Sequence, residues 1–80
     1  MNIPVVLPDL GTTGAPVRLS LWLVEQGEHV TRGDRLLEVV WGAVTFDVAA
    51  PASGTVIDRT TGHQATVSTG DVLGWIEPDD

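Results

Sequence analysis

The sequence has no cysteine, no tyrosine and no lysine, and only one phenylalanine and one methionine. Without cysteine there is neither a disulfide framework nor a thiolate metal site, so packing alone must hold an 80-residue chain, which is marginal at this size. Without lysine, no side chain offers a primary amine for an amide or a Schiff base. Basic residues are scarce altogether. Four Arg against eleven Asp plus Glu give a net charge of -7 and a pI near 4.4, a balance that repels phosphate backbones and anionic lipid. It argues against nucleic acid and membranes as partners. No apolar run approaches the roughly 18 to 20 residues needed to cross a bilayer, and Met1-Asn2-Ile3-Pro4 lacks the basic start and apolar segment of a signal peptide. We therefore expect a soluble, cytoplasmic domain too small for a deep catalytic cleft.

What is present is apolar enough to fold: 42% of residues are hydrophobic and the mean hydropathy is +0.17, so one compact core is expected. Helical periodicity is broken throughout by Gly, Pro or β-rich runs, whereas nine Gly, five Pro and nine Thr punctuate short stretches of Val, Leu, Ile and Trp. The chain reads as all-β. Strands are predicted over 3–7, 15–25, 28–30, 35–41, 44–50, 55–60, 65–67 and 72–77. In the second, Val17, Leu19, Leu21 and Leu23 share one face and Arg18, Ser20, Trp22 and Val24 the other. In the fourth, Leu37, Val39 and Trp41 oppose Leu36, Glu38 and Val40. Gly42-Ala43 then forms a two-residue hairpin tip.

A weak internal repeat organises these elements. His29-Val30-Thr31-Arg32-Gly33-Asp34-Arg35-Leu36 and Thr66-Val67-Ser68-Thr69-Gly70-Asp71-Val72-Leu73 share x-Val-x-x-Gly-Asp-x-Leu, and each precedes a strand. Such a repeat implies two similar four-stranded halves related by a pseudo-two-fold axis, packed as a flattened barrel or sandwich of two antiparallel sheets. The domain is expected to span residues 1–77, with Pro78-Asp79-Asp80 as the start of an acidic linker.

Four stretches in this order resemble the biotinyl/lipoyl attachment domains, in particular the N-terminal lipoyl domain of dihydrolipoyl acyltransferases of 2-oxo acid dehydrogenase complexes. They are Ile3-Pro4-Val5-Val6-Leu7-Pro8-Asp9-Leu10-Gly11, Leu21-Trp22-Leu23-Val24-Glu25-Gln26-Gly27-Glu28-His29-Val30, Gly33-Asp34-Arg35-Leu36-Leu37-Glu38-Val39 and Ala50-Pro51-Ala52-Ser53-Gly54-Thr55-Val56. The resemblance implies the lipoyl/biotinyl fold, a single hybrid motif. It also implies that Glu-Val should be followed by Glu-Thr-Asp-Lys, with the Lys at the hairpin tip carrying the cofactor. Here Val40, Trp41 and Gly42 stand at Glu-Thr-Asp and Ala43 at the Lys. A methyl group cannot form the amide, so neither lipoate nor biotin is expected. Two origins of Ala43 stay open: natural loss of carrier function, which also accounts for Val40-Trp41-Gly42, or a true swinging-arm carrier whose lysine has been replaced by Ala.

On the first, a docking or scaffolding role follows, with a candidate surface of Trp41, Gly42 and Ala43 and the loop Thr12-Thr13-Gly14, which family members place beside the attachment hairpin. The partner would be a protein: an acyltransferase domain, or an acyl carrier protein bringing the acyl group on its own arm. The parent implied by the resemblance is an acyltransferase, and the start at Met1 with the acidic end suits an N-terminal domain followed by a linker. Trp41 could equally pack inward with Leu37 and Val39, while Trp22 and Trp75, mid-strand, read as core or half-buried packing. His29 and His63, without Cys or a His-x-x-x-His spacing, read as solvated turn residues, so no metal is expected. Ser20, Ser53 and Ser68 lie in no nucleophile motif and no Gly-rich phosphate loop occurs, so no catalytic residue is expected in this chain. Glu25, Glu28, Asp34, Glu38 and Asp58 read as a solvating surface or as a field for a basic partner.

Overall fold

The computed structural model describes residues 1–80. Eight strands follow one another: β1 (Ile3–Val6), β2 (Val17–Trp22), β3 (His29–Val30), β4 (Arg35–Trp41), β5 (Val44–Ala49), β6 (Gly54–Asp58), β7 (Thr66–Val67) and β8 (Val72–Pro78). They form two four-stranded antiparallel sheets in the orders β1-β8-β6-β3 and β5-β4-β2-β7, the expected flattened sandwich, 41 × 19 × 17 Å. No helix is long and apolar enough to cross a membrane. The two sequence halves are not themselves the two sheets. Each sheet takes two strands from either half, so exchanging β1 with β5, β2 with β6, β3 with β7 and β4 with β8 converts one strand order into the other.

The repeated motif makes the same turn twice. Asp34 Oδ2 accepts from the Thr31 amide at 2.9 Å and Asp71 Oδ2 from the Ser68 amide at 2.8 Å, closing each turn around a glycine, Gly33 at φ +92° and Gly70 at φ +91°. The flanking strand is pinned in the same way: Gly33 N–H donates to the Ala50 carbonyl and Gly70 N–H to that of Leu7. In return Ala50 N–H reaches Asp34 O and Leu7 N–H reaches Asp71 O.

Fifteen buried hydrophobic residues form one core, with no buried polar or charged residue, and Leu10, Trp22, Trp41 and Phe46 pack around it. The predicted alternation fails where bulges slip the ladder by one residue. In β2 the register runs from Leu19 opposite Val39 to Leu21 opposite Glu38, so Ser20 is unpaired and the faces exchange. Leu21 and Leu23, expected inside with Leu19, are 43% and 41% exposed, while Val24 is buried; the strand ends at Trp22 rather than near Glu25. A slip between Arg35 and Leu37 buries both Leu36 and Leu37, which strict alternation places on opposite faces. Strand β8 runs one residue past its expected end, and Pro78 pairs with Gly54.

Two glycines mark backbone contacts too close for any side chain. A Cβ on Gly54 would lie 2.1 Å from the Glu77 carbonyl oxygen, and one on Gly74 would meet the Asp58 carbonyl oxygen at 2.6 Å and the Trp22 ring at 2.8 Å. Trp22 is half-buried as expected, and its Nε1–H donates to the Thr61 carbonyl at 2.8 Å. Trp75 is also half-buried. The histidines are less free than expected. His29 lies in β3 and holds Asp79 at 3.0 Å, and the His63 Nδ1–H donates to the Ser20 carbonyl left over by the bulge.

Candidate functional site

Strands β4 and β5 pair from Arg35 opposite Ala49 to Trp41 opposite Val44, leaving only Gly42 and Ala43 to turn the chain. Gly42 takes φ +60° and Ala43 stays at negative φ, the φ signature of a type II′ turn with glycine first. This turn suits the right-handed twist of the hairpin. Gly42, Ala43 and Val44 are exposed, Val44 at 45%, so the apex shows little besides backbone and methyl groups.

Trp41 sits at the base of the apex. Its ring packs against the core, as the inward reading anticipated, yet it stays half-exposed. Its Nε1–H is shielded from solvent and has no acceptor, a conflict that costs about 1–3 kcal/mol. Trp41 is thus the place at this end of the molecule where packing and polar satisfaction disagree.

Val17, the first residue of β2, is paired with both Trp41 and Val67, so the loop of residues 8–16 enters the sheet at the hairpin end. There it borders a cleft of about 230 Å³ whose walls include Leu7, Leu10, Thr12, Pro16, Val67 and Ser68. Thr12 lines the cleft and is half-buried; Thr13 and Gly14 are exposed on the loop, Gly14 at φ +87°. Gly42 and Ala43 are not among the cleft's walls. Tip and loop therefore share one end of the molecule without forming one pocket. The walls at Val67 and Ser68 were missed from sequence, although they belong to the second copy of the repeat, whose symmetry-related turn was in view.

An amide to biotin or lipoate is made through a primary amine, and the side chains of this protein supply none. The remaining amine, at Met1, lies at the opposite end, in a cleft with Asn2, Thr55, Glu77 and Pro78. The residues at the apex do not fit an amide-linked group. No three His, Cys, Asp or Glu side chains converge as metal ligands would.

Comparison with known proteins agrees with the architecture. A solution structure of the lipoyl domain of the 2-oxoglutarate dehydrogenase complex from Azotobacter vinelandii superposes with a TM-score of 0.73 at 24% identity, covering 96% of this chain and 99% of that one. Among curated relatives, the dihydrolipoyllysine-residue succinyltransferase component of the 2-oxoglutarate dehydrogenase complex of Rickettsia conorii is 33% identical over 78 residues, 95% of this chain. The dihydrolipoyllysine-residue acetyltransferase component of the Bacillus subtilis acetoin cleaving system is 26% identical over 76 residues. In each case the chain spans 19% of the relative's length. The biotin/lipoyl family profile, described as biotin-requiring enzyme, matches residues 3–76, and with this sandwich and repeat the chain belongs to that family.

Proposed function

We propose that the domain is a protein-docking module of an acyltransferase akin to the dihydrolipoyl acyltransferases, and that it carries neither lipoate nor biotin. The chemistry of the hairpin apex carries this reading. Ala43, at the position the resemblance gives to the attachment lysine, is an exposed methyl between exposed Gly42 and Val44, in a chain without a side-chain amine. No arm can be tethered there. A half-exposed tryptophan beneath an apolar apex is, by contrast, the kind of surface on which binding energy concentrates. The docking surface comprises Trp41, Gly42 and Ala43 with the loop Thr12, Thr13 and Gly14. The partner is an acyltransferase domain or an acyl carrier protein that brings its own thiol-borne acyl group, since this domain has no arm to offer. Acyl transfer by the parent protein rests on the acyltransferase relatives, and the setting is the cytoplasm.

Two experiments test the reading. Ala43→Lys is incubated with a lipoate or biotin ligase and weighed by mass spectrometry; no added mass is expected, and efficient modification would count against natural loss. Trp41→Ala is expected to weaken partner binding by about 2 kcal/mol, or roughly thirtyfold in Kd. Unchanged affinity with the fold intact would remove Trp41 from the interface. A prosthetic group covalently bound to protein from the native host, or a lysine codon at position 43 of the gene, would replace this reading with that of a swinging-arm carrier.

A further inference from the structure

The outer faces of the two sheets differ in their balance of charge. On β5-β4-β2-β7 the outward residues include Arg18, Glu38, Asp47 and Thr66 beside Leu21 and Val40, with Arg35 and Asp47 paired at 3.3 Å, so the apolar positions stand among two arginines and two carboxylates that balance. On β1-β8-β6-β3 the outward residues include an apolar group toward one end and Thr55, Glu77 and His29 toward the other. A bulge leaves Val6 opposite Val72, Pro4 lies opposite Trp75, and Ile57 and Trp75 border the same shallow depression. Val6 and Val72 are 40% and 37% exposed, and Pro4, Ile57 and Trp75 are half-buried.

The charge around this patch has one sign. Asp58 is paired with Trp75, Glu77 with Thr55, and Asp71 precedes β8; all three carboxylates are exposed. The nearby basic side chains are already engaged. His29 holds Asp79, and Arg59 turns its guanidinium to the Val24 carbonyl at 3.5 Å and Glu25 at 3.8 Å. The Met1 ammonium shares the far-end cleft with Glu77, Asp79 and Asp80, one cation among three carboxylates.

We infer that this outer face is a second docking surface, one that takes a basic segment of a partner protein. Apolar side chains of that segment seat on Val6, Val72 and Trp75 while its Lys or Arg residues meet Asp58, Asp71 and Glu77. A second copy of the chain is the wrong occupant, because at a net charge of -7 it would set one carboxylate rim against another. The surface is separate from the hairpin apex and stands whether or not the apex docks a partner.

A short synthetic peptide of alternating Leu and Lys, with a Leu and Glu counterpart as control, tests the inference by ¹⁵N NMR titration of the intact domain. The expected result is saturable shifts at the Val6, Ile57 and Val72 amides and the Trp75 indole N–H with the Leu–Lys peptide alone. Affinity should fall at least tenfold in the double variant Val6→Ser/Val72→Ser, whose exposed positions leave the core intact, and should weaken as salt is raised. Shifts spread equally over Glu38 and Asp47, equal binding of the Leu–Glu peptide, or no binding would overturn it. So would concentration-dependent dimerisation in sedimentation that the double variant abolishes.

Discussion

The two sheets follow one plan, but only one has its edge pair closed by a turn. Strands β4 and β5 are joined by a two-residue turn, whereas their symmetry counterparts β8 and β1 pair just as regularly with no turn between them, and the chain ends lie there instead. The fillings differ as well. Where β2 begins with Val17 against Trp41, β6 begins with Gly54 against Pro78; where β4 has Leu37 beside Trp22, β8 has Gly74 beneath the ring of the same tryptophan. One bulky residue thus serves both halves, and symmetry yields because a close-packed interior has room for it once.

The comparison can be broken most severely at Gly54. Gly54→Ala drives a methyl into the Glu77 carbonyl, and we expect a loss of about 3 kcal/mol or more, read as a lower urea midpoint. Next come the paired turns. Asp34→Ala and Asp71→Ala each remove a carboxylate that accepts a backbone N–H, and each should cost about 1 kcal/mol. Similar losses, adding in the double variant, would mark the turns as equivalent; a difference of more than about 1 kcal/mol would show that the two copies of the repeat are not energetically interchangeable.

The hairpin apex is the third point of entry. Gly42→Ala places a side chain at φ +60° and should destabilise by about 1 kcal/mol, with Gly42→Asn costing less because asparagine tolerates this region. The smallest effect belongs to the open end. His29→Ala removes an exposed pair to Asp79 and should change global stability by less than about 1 kcal/mol, while hydrogen exchange at the Asp79 amide, which donates to Ser53, speeds up. A large drop in melting temperature would mean that the loose end matters more than its exposure suggests.

Much of this was legible because repeats and turns are written in short local patterns. The shared Gly-Asp of residues 33–34 and 70–71 announced both turns, and Gly42-Ala43 announced the hairpin. The bulges were not legible, since an extra residue such as Ser20 leaves the alternation on either side looking continuous. Leu21 and Leu23 therefore read as core and lie outside. At the candidate site, the two-residue tip Gly42-Ala43 and the loop of residues 12–14 that shares its end of the molecule were legible from their turn residues. The cleft walls at Val67 and Ser68 were not, because β7 reaches them only through pairing with β2 across the sheet. The orphaned indole N–H of Trp41 depends on the packing of a single ring, for which sequence carries no pattern.

Because the first and last residues both lie at the end away from the hairpin, along a body 41 Å in its longest dimension, an affinity tag or sensor-chip linkage at either terminus points the apex into free solution. Immobilised in that orientation, the protein leaves its tip unobstructed to an analyte.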